Sequence, residues 1–361
     1  MAIDKIEAAG LSTNTNQPAF RNIIINGDMS LAQRATSKAS VTTAGYYTID
    51  RMQWIADYGT VTLSQDTDVP TGQGFANSYK ADVTTAGTVV SSGYVLVRQK
   101  VEGQNLQYLK KGTSSAESLT LSFWIKSTKT GTYIAELYDA DNTRQISKSY
   151  TVDTTNTWEK KTITFAGDTT GAFGNDNAAS LFVNLYLSAG SDYTSGTLNT
   201  SWAASTNANR VVGQVDAQDN TSNNIYFCGI QLEAGTSASD FEFLPHDVNL
   251  KRCQRYYYLH TGIASNRPVG IGYYYSGTYL GAFVYFPTTM RNSPSTVSPN
   301  SSNYFKIDRN GGSNQFDTFA AEITSPNAVQ IYNGSASGST GDVGSVRTNN
   351  SSSYLAFESE L

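Results

Sequence analysis

The sequence predicts an all-β protein: two antiparallel, jelly-roll-like β-sandwich domains preceded by a short N-terminal anchoring arm. Three observations carry this reading. Apolar residues recur with a period of two in one segment after another, as a strand with one buried face requires. Between these segments lie clusters of Gly, Asn, Asp and Ser that make turns, and no segment holds a helical period. Composition agrees: of 361 residues only 15% are charged, while Tyr (23) and Phe (15) are abundant. A typical soluble domain is about 25% charged, and aromatic side chains pack well on a pleated surface.

Residues 1–20 (MAIDKIEAAGLSTNTNQPAF) offer only Ile3, Ile6 and Leu11 as anchors, and Ser12 to Pro18 reads as an extended linker. So little apolar surface cannot fold alone, so the arm is expected to be disordered or to dock on a partner. RNIIIN (21–26) is an apolar run closed by the turn pair Asn26–Gly27 and reads as a strand. In SLTLSFWIKST (118–128), Leu119, Leu121, Phe123 and Ile125 alternate with Thr120, Ser122, Trp124 and Lys126, a half-buried strand. The same pattern marks TYIAELYDAD (132–141), WEKKTITFAG (158–167), SLFVNLYLSAG (180–190) and NIYFCGIQLEAG (224–235). In the last, period two puts Tyr226, Cys228, Ile230 and Leu232 on one face, with Cys228 pointing into the core.

A boundary is expected within FEFLPHDVNLKRCQ (241–254), with Pro245 ending the first domain. The first sandwich therefore covers 21–247 and the second 248–361. Strands of the second are read at RYYYLH, VGIGYYYSG (269–277), TYLGAFVYF (278–286), NYFKI, FAAEIT, AVQIYNG and SYLAFE, with a Gly/Ser-rich loop at 333–345. Tyr279, Gly281, Phe283 and Tyr285 alternate with Leu280, Ala282, Val284 and Phe286. Both faces of that strand are apolar, so it is expected to be covered on both sides. NLKRCQRYYYLH (249–260) reads as the domain-entry strand. Leu250 and Cys253 are expected to pack at the junction, and Arg255 to pair with a carboxylate there or at a subunit contact.

Composition excludes several functions. The formal net charge of −5, with no basic run longer than two residues, argues against nucleic acid, whose phosphates demand a basic footprint. No apolar stretch approaches the ~20 residues that span a bilayer, and the N-terminus has no apolar signal-peptide core. Cys228 and Cys253 are the only cysteines; they show no C-x-x-C spacing, so no zinc site is indicated, and nothing supports a disulfide between them. A Ser-His-Asp or Cys-His arrangement would have to use His246 or His260, the only histidines, whereas an acid pair of the glycosidase kind would come from separate strands that sequence does not bring together. Cys253 and His260, seven residues apart, would stand about 23 Å apart along one strand. No nucleophile-elbow, Walker or H-E-x-x-H motif is present, and no catalytic residue or cofactor is assigned. For glycan binding, which uses exposed aromatics beside polar groups, the candidates are Trp124 on the polar face of its strand, Trp202 in TSWAAS and Tyr193 in a polar loop. DADN (139–142) and GNDN (174–177) could hold a structural calcium, or form ordinary Asx turns.

RNIIINGDMSLAQRAT and YYTIDRMQW (46–54) resemble the opening of phage virion proteins of the tail-fibre and spike type, chiefly from marine and cyanobacterial phages. Asn26, Gly27, Gln33, Arg34, Asp50 and Arg51 match that pattern, and Met52 stands where Trp is common. IQLEAGTSASDFEFLPHDVNLKRCQRYYY, FPTTMRNSPS (286–295) and the terminal ESEL resemble later blocks of the same family. The first domain is also similar, in strand order, to carbohydrate-binding modules of glucanases and xylanases. The resemblance implies a non-enzymatic virion structural protein, held to other virion proteins through residues 1–20. It further implies a homo-oligomer, a trimer by analogy, and host-surface polysaccharide as the ligand. A capsid decoration protein and a glycan depolymerase are the alternatives. Such a protein is made in the host cytoplasm and resides on the tail or capsid surface.

Overall fold

The computed structural model describes residues 20–298 and 301–361. Ile3, Ile6 and Leu11, the expected docking residues of the arm, lie outside the described residues. The chain forms two compact units that part between Pro245 and His246. Both are all-β and built from antiparallel sheets.

The first unit contains β1 (Ser37–Val41), β2 (Gln53–Ala56), β3 (Thr60–Asp66), β4 (Ser78–Thr85), β5 (Tyr94–Glu102), β6 (Leu119–Ser127) and β7 (Gly131–Asp139). It continues with β8 (Arg144–Val152), β9 (Glu159–Phe165), β10 (Ala179–Ala189), the one-turn helix α1 (Ser191–Thr194), β11 (Ala203–Ala204) and β12 (Asn224–Ala234). Two six-stranded sheets result, in the orders β1-β3-β4-β12-β6-β9 and β11-β8-β7-β10-β5-β2. Their facing sides share one core: Leu121, Phe123 and Ile125 of β6 with Val97, Leu137, Leu185 and Trp54 of the second sheet. Alternation on β6, β7, β9, β10 and β12 is what made these strands legible.

RNIIIN is not a strand. The chain turns at Asn26, whose φ is +61°, and Ile23 and Ile24 enter the core directly. Polar groups close this plug. Asn26 Nδ2 donates to the carbonyls of Leu31 and Asp50 at 2.9 and 3.0 Å, and its Oδ1 accepts from the Leu31 amide at 3.0 Å. Asp50 accepts from the Gln33 amide at 3.0 Å and from Gln33 Nε2 at 2.6 Å. A Cβ on Gly27 would lie 2.0 Å from the Ile230 carbonyl oxygen, so no side chain fits there.

β12 also departs from simple alternation. Its register shifts between Cys228 and Gln231, and Gly229, at φ +61°, absorbs the extra residue as a bulge does. Ile225 and Phe227 precede the bulge on the core face, and Ile230 and Leu232 follow it there. Tyr226 and Cys228 therefore point to the outer face. Cys228 is nonetheless buried, and burial pushes its thiol well above the usual range.

The 139–142 and 174–177 loops are both Asx turns: Asp139 Oδ1 accepts from the Asp141 and Asn142 amides, and Asp176 Oδ1 from Ala178. Asp139 also faces an ammonium from the chain itself. Lys111 Nζ lies 2.5 Å from Asp139 and 3.1 Å from Asp168, and donates to the Thr170 and Gly171 carbonyls at 3.0 and 2.7 Å. The Phe173 and Trp202 rings sit 5.1 and 5.4 Å from it. Arg144 supplies a second cation through two bonds to Asp168. Burial raises the Asp168 carboxyl, but the bonds from Arg144, Thr170 and Lys111 outweigh it and hold it below its ordinary value. Among the described residues no group of three or more His, Cys, Asp and Glu is placed to hold a metal.

The second unit begins with α2 (His246–Gln254), followed by β13 (Tyr257–Leu259), β14 (Pro268–Tyr274), β15 (Leu280–Tyr285), β16 (Ser295–Val297) and β17 (Phe305–Arg309). It ends with β18 (Gly312–Phe316), β19 (Ala320–Thr324), β20 (Ala328–Asn333), β21 (Val343–Thr348) and β22 (Ala356–Glu358). A three-stranded sheet, β13-β22-β16, accompanies a seven-stranded one, β18-β17-β21-β14-β15-β20-β19. Phe357 and Leu355 share a core with Val284, Ile331, Phe305 and Val346.

The expected entry strand is a helix over its first half. Asp247 lies in the first turn and Lys251 and Arg252 in the last, each complementing the helix dipole. Asn249 and Cys253, four apart, are its buried residues; Leu250 is half-buried. Arg255 follows the helix, and its Nη1 donates to the Thr289 carbonyl at 3.3 Å. Both cysteines are free and buried. The strand 278–286 is not covered on both sides, because Phe283 and Tyr285 are 51% and 77% exposed.

Two outcomes follow from these contacts. Lys111→Met leaves two buried carboxylates short of a cation and should cost the first unit about 3 kcal/mol or more in urea unfolding. Lys110→Met, on the exposed pair with Glu117, should change it by less than about 0.5 kcal/mol. In the second unit, His260 Nε2 lies 2.7 Å from the Val269 carbonyl, which can only accept, so Nδ1, 3.0 Å from the Tyr258 hydroxyl, is the acceptor of a neutral ring. Burial lowers its pKa below the ordinary 6.5, with the Val269 bond acting against it. The neutral ring's contribution is therefore present above about pH 6.5 and lost as pH falls through the folded-state value. The urea midpoint of the second unit should drop across that window, and His260→Gln should remove the step.

Candidate functional site

The outer side of the sheet β11-β8-β7-β10-β5-β2 carries cross-strand rows of a composition unusual for a solvent face. The register aligns Gln53 with Arg98, Arg98 with Asn184, Asn184 with Glu136, and Glu136 with Ser147. One row over, Lys100, Phe182, Tyr138 and Gln145 are aligned in the same way. On the other side Ile55, Leu96, Ile134 and Tyr186 form an apolar row. The excursion after β10 folds over that row, and Val211, Tyr193 and Leu198 seal it.

Glu136 is fully buried at the centre. Arg210 donates to both its oxygens at 2.8 Å, through Nε and Nη2. Asn184 Nδ2 and the Tyr186 hydroxyl donate at 2.7 and 3.1 Å. Arg98 Nε in turn donates to Asn184 Oδ1 at 2.7 Å. Burial, and then the Glu136 charge, push the Tyr186 phenol well above its ordinary value. Arg210 stays charged: burial opposes the charge, but the bonds to Glu136 and its negative charge more than compensate. A carboxylate bound by four donors is a fixed strut for the groups around it.

Beside this strut stand the half-buried rings of Tyr138 and Phe182, with centroids 5.6 Å apart. The Arg98 guanidinium lies 4.9 Å from the Phe182 centroid, and Arg210 lies 5.1 Å from Tyr138. Gln53 Oε1, Gln145 Nε2 and Ser147 Oγ are buried on this sheet without a hydrogen-bond partner. The face thus offers two adjacent rings and guanidinium edges, beside a wall held by Arg210. Such a surface suits a ligand with apolar ring faces and many hydroxyls.

The residues singled out from sequence fall in three places. Tyr193, on α1, is part of the wall: its ring meets Tyr94 edge-on at 5.1 Å and lies 5.9 Å from the Arg210 guanidinium. Trp202 donates Nε1–H to the Ala166 carbonyl at 2.8 Å and roofs a hollow of about 10 Å³ lined by Lys111, Asp168 and Phe173, too small for more than a water. Trp124 is half-buried on the outer face of the other sheet, opposite Cys228 and Lys160. There Tyr226 lies beneath Lys80 and Lys126, at 5.3 and 5.1 Å. Asp68 accepts from Trp158 Nε1 at 2.9 Å and pairs with Lys126. The polar groups of that face satisfy one another.

Arg98, Glu136, Tyr138, Phe182, Asn184 and Arg210 were not singled out from sequence. One signal was present: in SLFVNLYLS, Phe182 and Asn184 occupy the phase opposite the core residues Leu181, Val183 and Leu185.

No family model matches the chain, and no curated protein matches its sequence. Among solved structures, the enzymatically active domain of tailspike protein 4 from bacteriophage CBA120 overlaps 60% of this chain, at 14% identity and a TM-score of 0.31. The chain spans 22% of that protein's length. A family 11 carbohydrate-binding module from Clostridium thermocellum, in complex with a β-1,3-1,4-mixed-linked tetrasaccharide, overlaps 56% of this chain and 99% of its own, at 13% identity and a TM-score of 0.27. The family 61 module in complex with β-1,4-galactotriose overlaps 60% of this chain and 99% of its own, at 10% identity and a TM-score of 0.30.

Glu136→Gln removes the counter-charge of a mostly buried guanidinium and should destabilise the first unit by about 3 kcal/mol. Limited proteolysis should then cut the 190–216 excursion first.

Proposed function

We propose that the first unit is a glycan-binding module whose platform is the Arg98–Phe182–Tyr138–Arg210 face. The observation that carries this reading is the pair of adjacent half-buried rings, flanked by guanidinium groups. Stacking on Tyr138 and Phe182 fixes the ring plane, and Arg98, itself held by Asn184, meets hydroxyls along its edge. The carrier of this module is a phage virion, to which residues 1–20 attach it so that the sandwiches face outward toward the host surface. The ordered blocks from RNIIINGD to the terminal ESEL support that part of the reading.

Glycan arrays followed by titration calorimetry test the platform. Tyr138→Ala and Phe182→Ala should each weaken binding of a positive glycan about fivefold or more, since one aromatic contact is worth on the order of 1 kcal/mol or above. Trp124→Ala should leave it unchanged. If Trp124→Ala abolishes binding and the other two do not, the platform is on the opposite sheet. Deletion of residues 1–20 should leave a folded protein that fails to enter particles, read by immunoblot of purified virions.

A further inference from the structure

The seven-stranded sheet of the second unit buries one side in its own core and leaves the other bare. On β14, Ile271, Tyr273 and, just beyond, Tyr275 point outward; Phe283 and Tyr285 do so on β15, Ile323 on β19 and Val343 on β21. Ile271, Tyr275, Phe283, Tyr285, Ile323 and Val343 are between 51% and 77% exposed. Register places them on one continuous surface: Tyr273 opposite Val343, and Phe283 opposite Gln330, which faces Ile323. The surface is ordered rather than loose. Tyr273 stacks on Phe283 at 6.1 Å and 17°, and Tyr279 on Tyr332 at 5.4 Å and 8°. Gln330 Nε2 bridges the Tyr273 and Tyr279 hydroxyls and Glu322.

At these exposures the six side chains present roughly 700–800 Å², taking about 150–250 Å² for each aromatic. That exceeds the ~300–600 Å² of the largest apolar patch on a typical monomer. It matches the ~800 Å² that each partner contributes to a standard stable interface. The branched residues Ile271, Ile323 and Val343 cannot hydrogen-bond a hydroxylated ligand, so this face differs in kind from the platform on the first unit.

We propose that this face is covered by the same face of a second copy of the chain, sheet on sheet, about a two-fold axis parallel to the strands. Charge selects the axis. One margin of the face carries Glu322 on β19. The other, five strands away, carries Lys306 and Arg347 with Asp308, two cations against one anion, the Arg347–Asp308 pair lying within the chain. A two-fold axis along the strands reverses strand order between copies, so the acidic margin of each copy lies over the basic margin of the other. An axis across the strands would set Glu322 over Glu322. The strands of the two sheets stay nearly aligned, a common packing of β-sheets.

Sedimentation equilibrium of the full chain tests the pairing, with near-UV circular dichroism to confirm that each variant is folded. Wild type should be dimeric, or a multiple of a dimer, at micromolar concentration. Ile271→Lys with Phe283→Asp should raise the dissociation constant at least 100-fold. Glu322→Lys alone should weaken association several-fold, and Glu322→Lys combined with Lys306→Glu should restore it. A wild-type chain that is monomeric at 100 µM overturns the proposal. So does an oligomer, a trimer included, whose mass is unmoved by the folded Ile271/Phe283 variant. Failure of the charge swap to restore association refutes the strand-parallel axis. None of these outcomes depends on glycan binding by the first unit.

Discussion

A carboxylate removed from water must find its counter-charges inside the protein, and the arrangement of the first unit's proposed platform follows from how Glu136 does so. Its partners come from β10 and from the excursion after it, 48 to 74 residues away in sequence. Because Arg210 is bound at both carboxylate oxygens, the excursion is held down over Ile55, Leu96 and Tyr186. It cannot slide toward the rings. Asn184 is fixed by the same carboxylate and in turn orients Arg98. One buried charge thus sets the wall, the guanidinium edges and the open side of the platform.

Much of the fold was legible because half-buried strands announce themselves by alternation. β6, β7 and β9 carry their core residues in one phase, as β10 does up to Leu187 and β12 on either side of its bulge. The strands between 37 and 102 were not read. In β3 the buried Val61 and Leu63 sit among Thr, Ser and Gln, and β5 is buried at consecutive positions rather than alternate ones. Where alternation was read too strictly, local chemistry prevailed. Gly229 admits a bulge that reverses the phase of β12. The segment 246–254 is a helix through terminal charges and a buried pair four residues apart, too short for a visible period.

The proposed platform was hidden for a different reason. Apart from Phe182 and Asn184, two apart on β10, its residues share no local pattern; pairing of β5, β7 and β10 brings Arg98 and Glu136 beside them, and Arg210 arrives from the excursion. Conversely, the blocks that stand out as motifs do architectural work. Asn26, Gly27, Gln33 and Asp50 stitch a non-regular segment to the end of the sandwich, where Gly27 is required because a carbonyl occupies the space of its Cβ.

The lysine that neutralises Asp139 and Asp168 has a consequence of another order. Where oxygen donors converge, a bound ion is a guest whose occupancy depends on the medium. At Asp139 and Asp168 the positive charge is a side chain: it has no dissociation constant, no competitor among dissolved cations and no sensitivity to chelators. This corner of the sandwich therefore keeps its counter-ion in brackish, marine or ion-poor water alike, and through any dilution that the whole molecule survives.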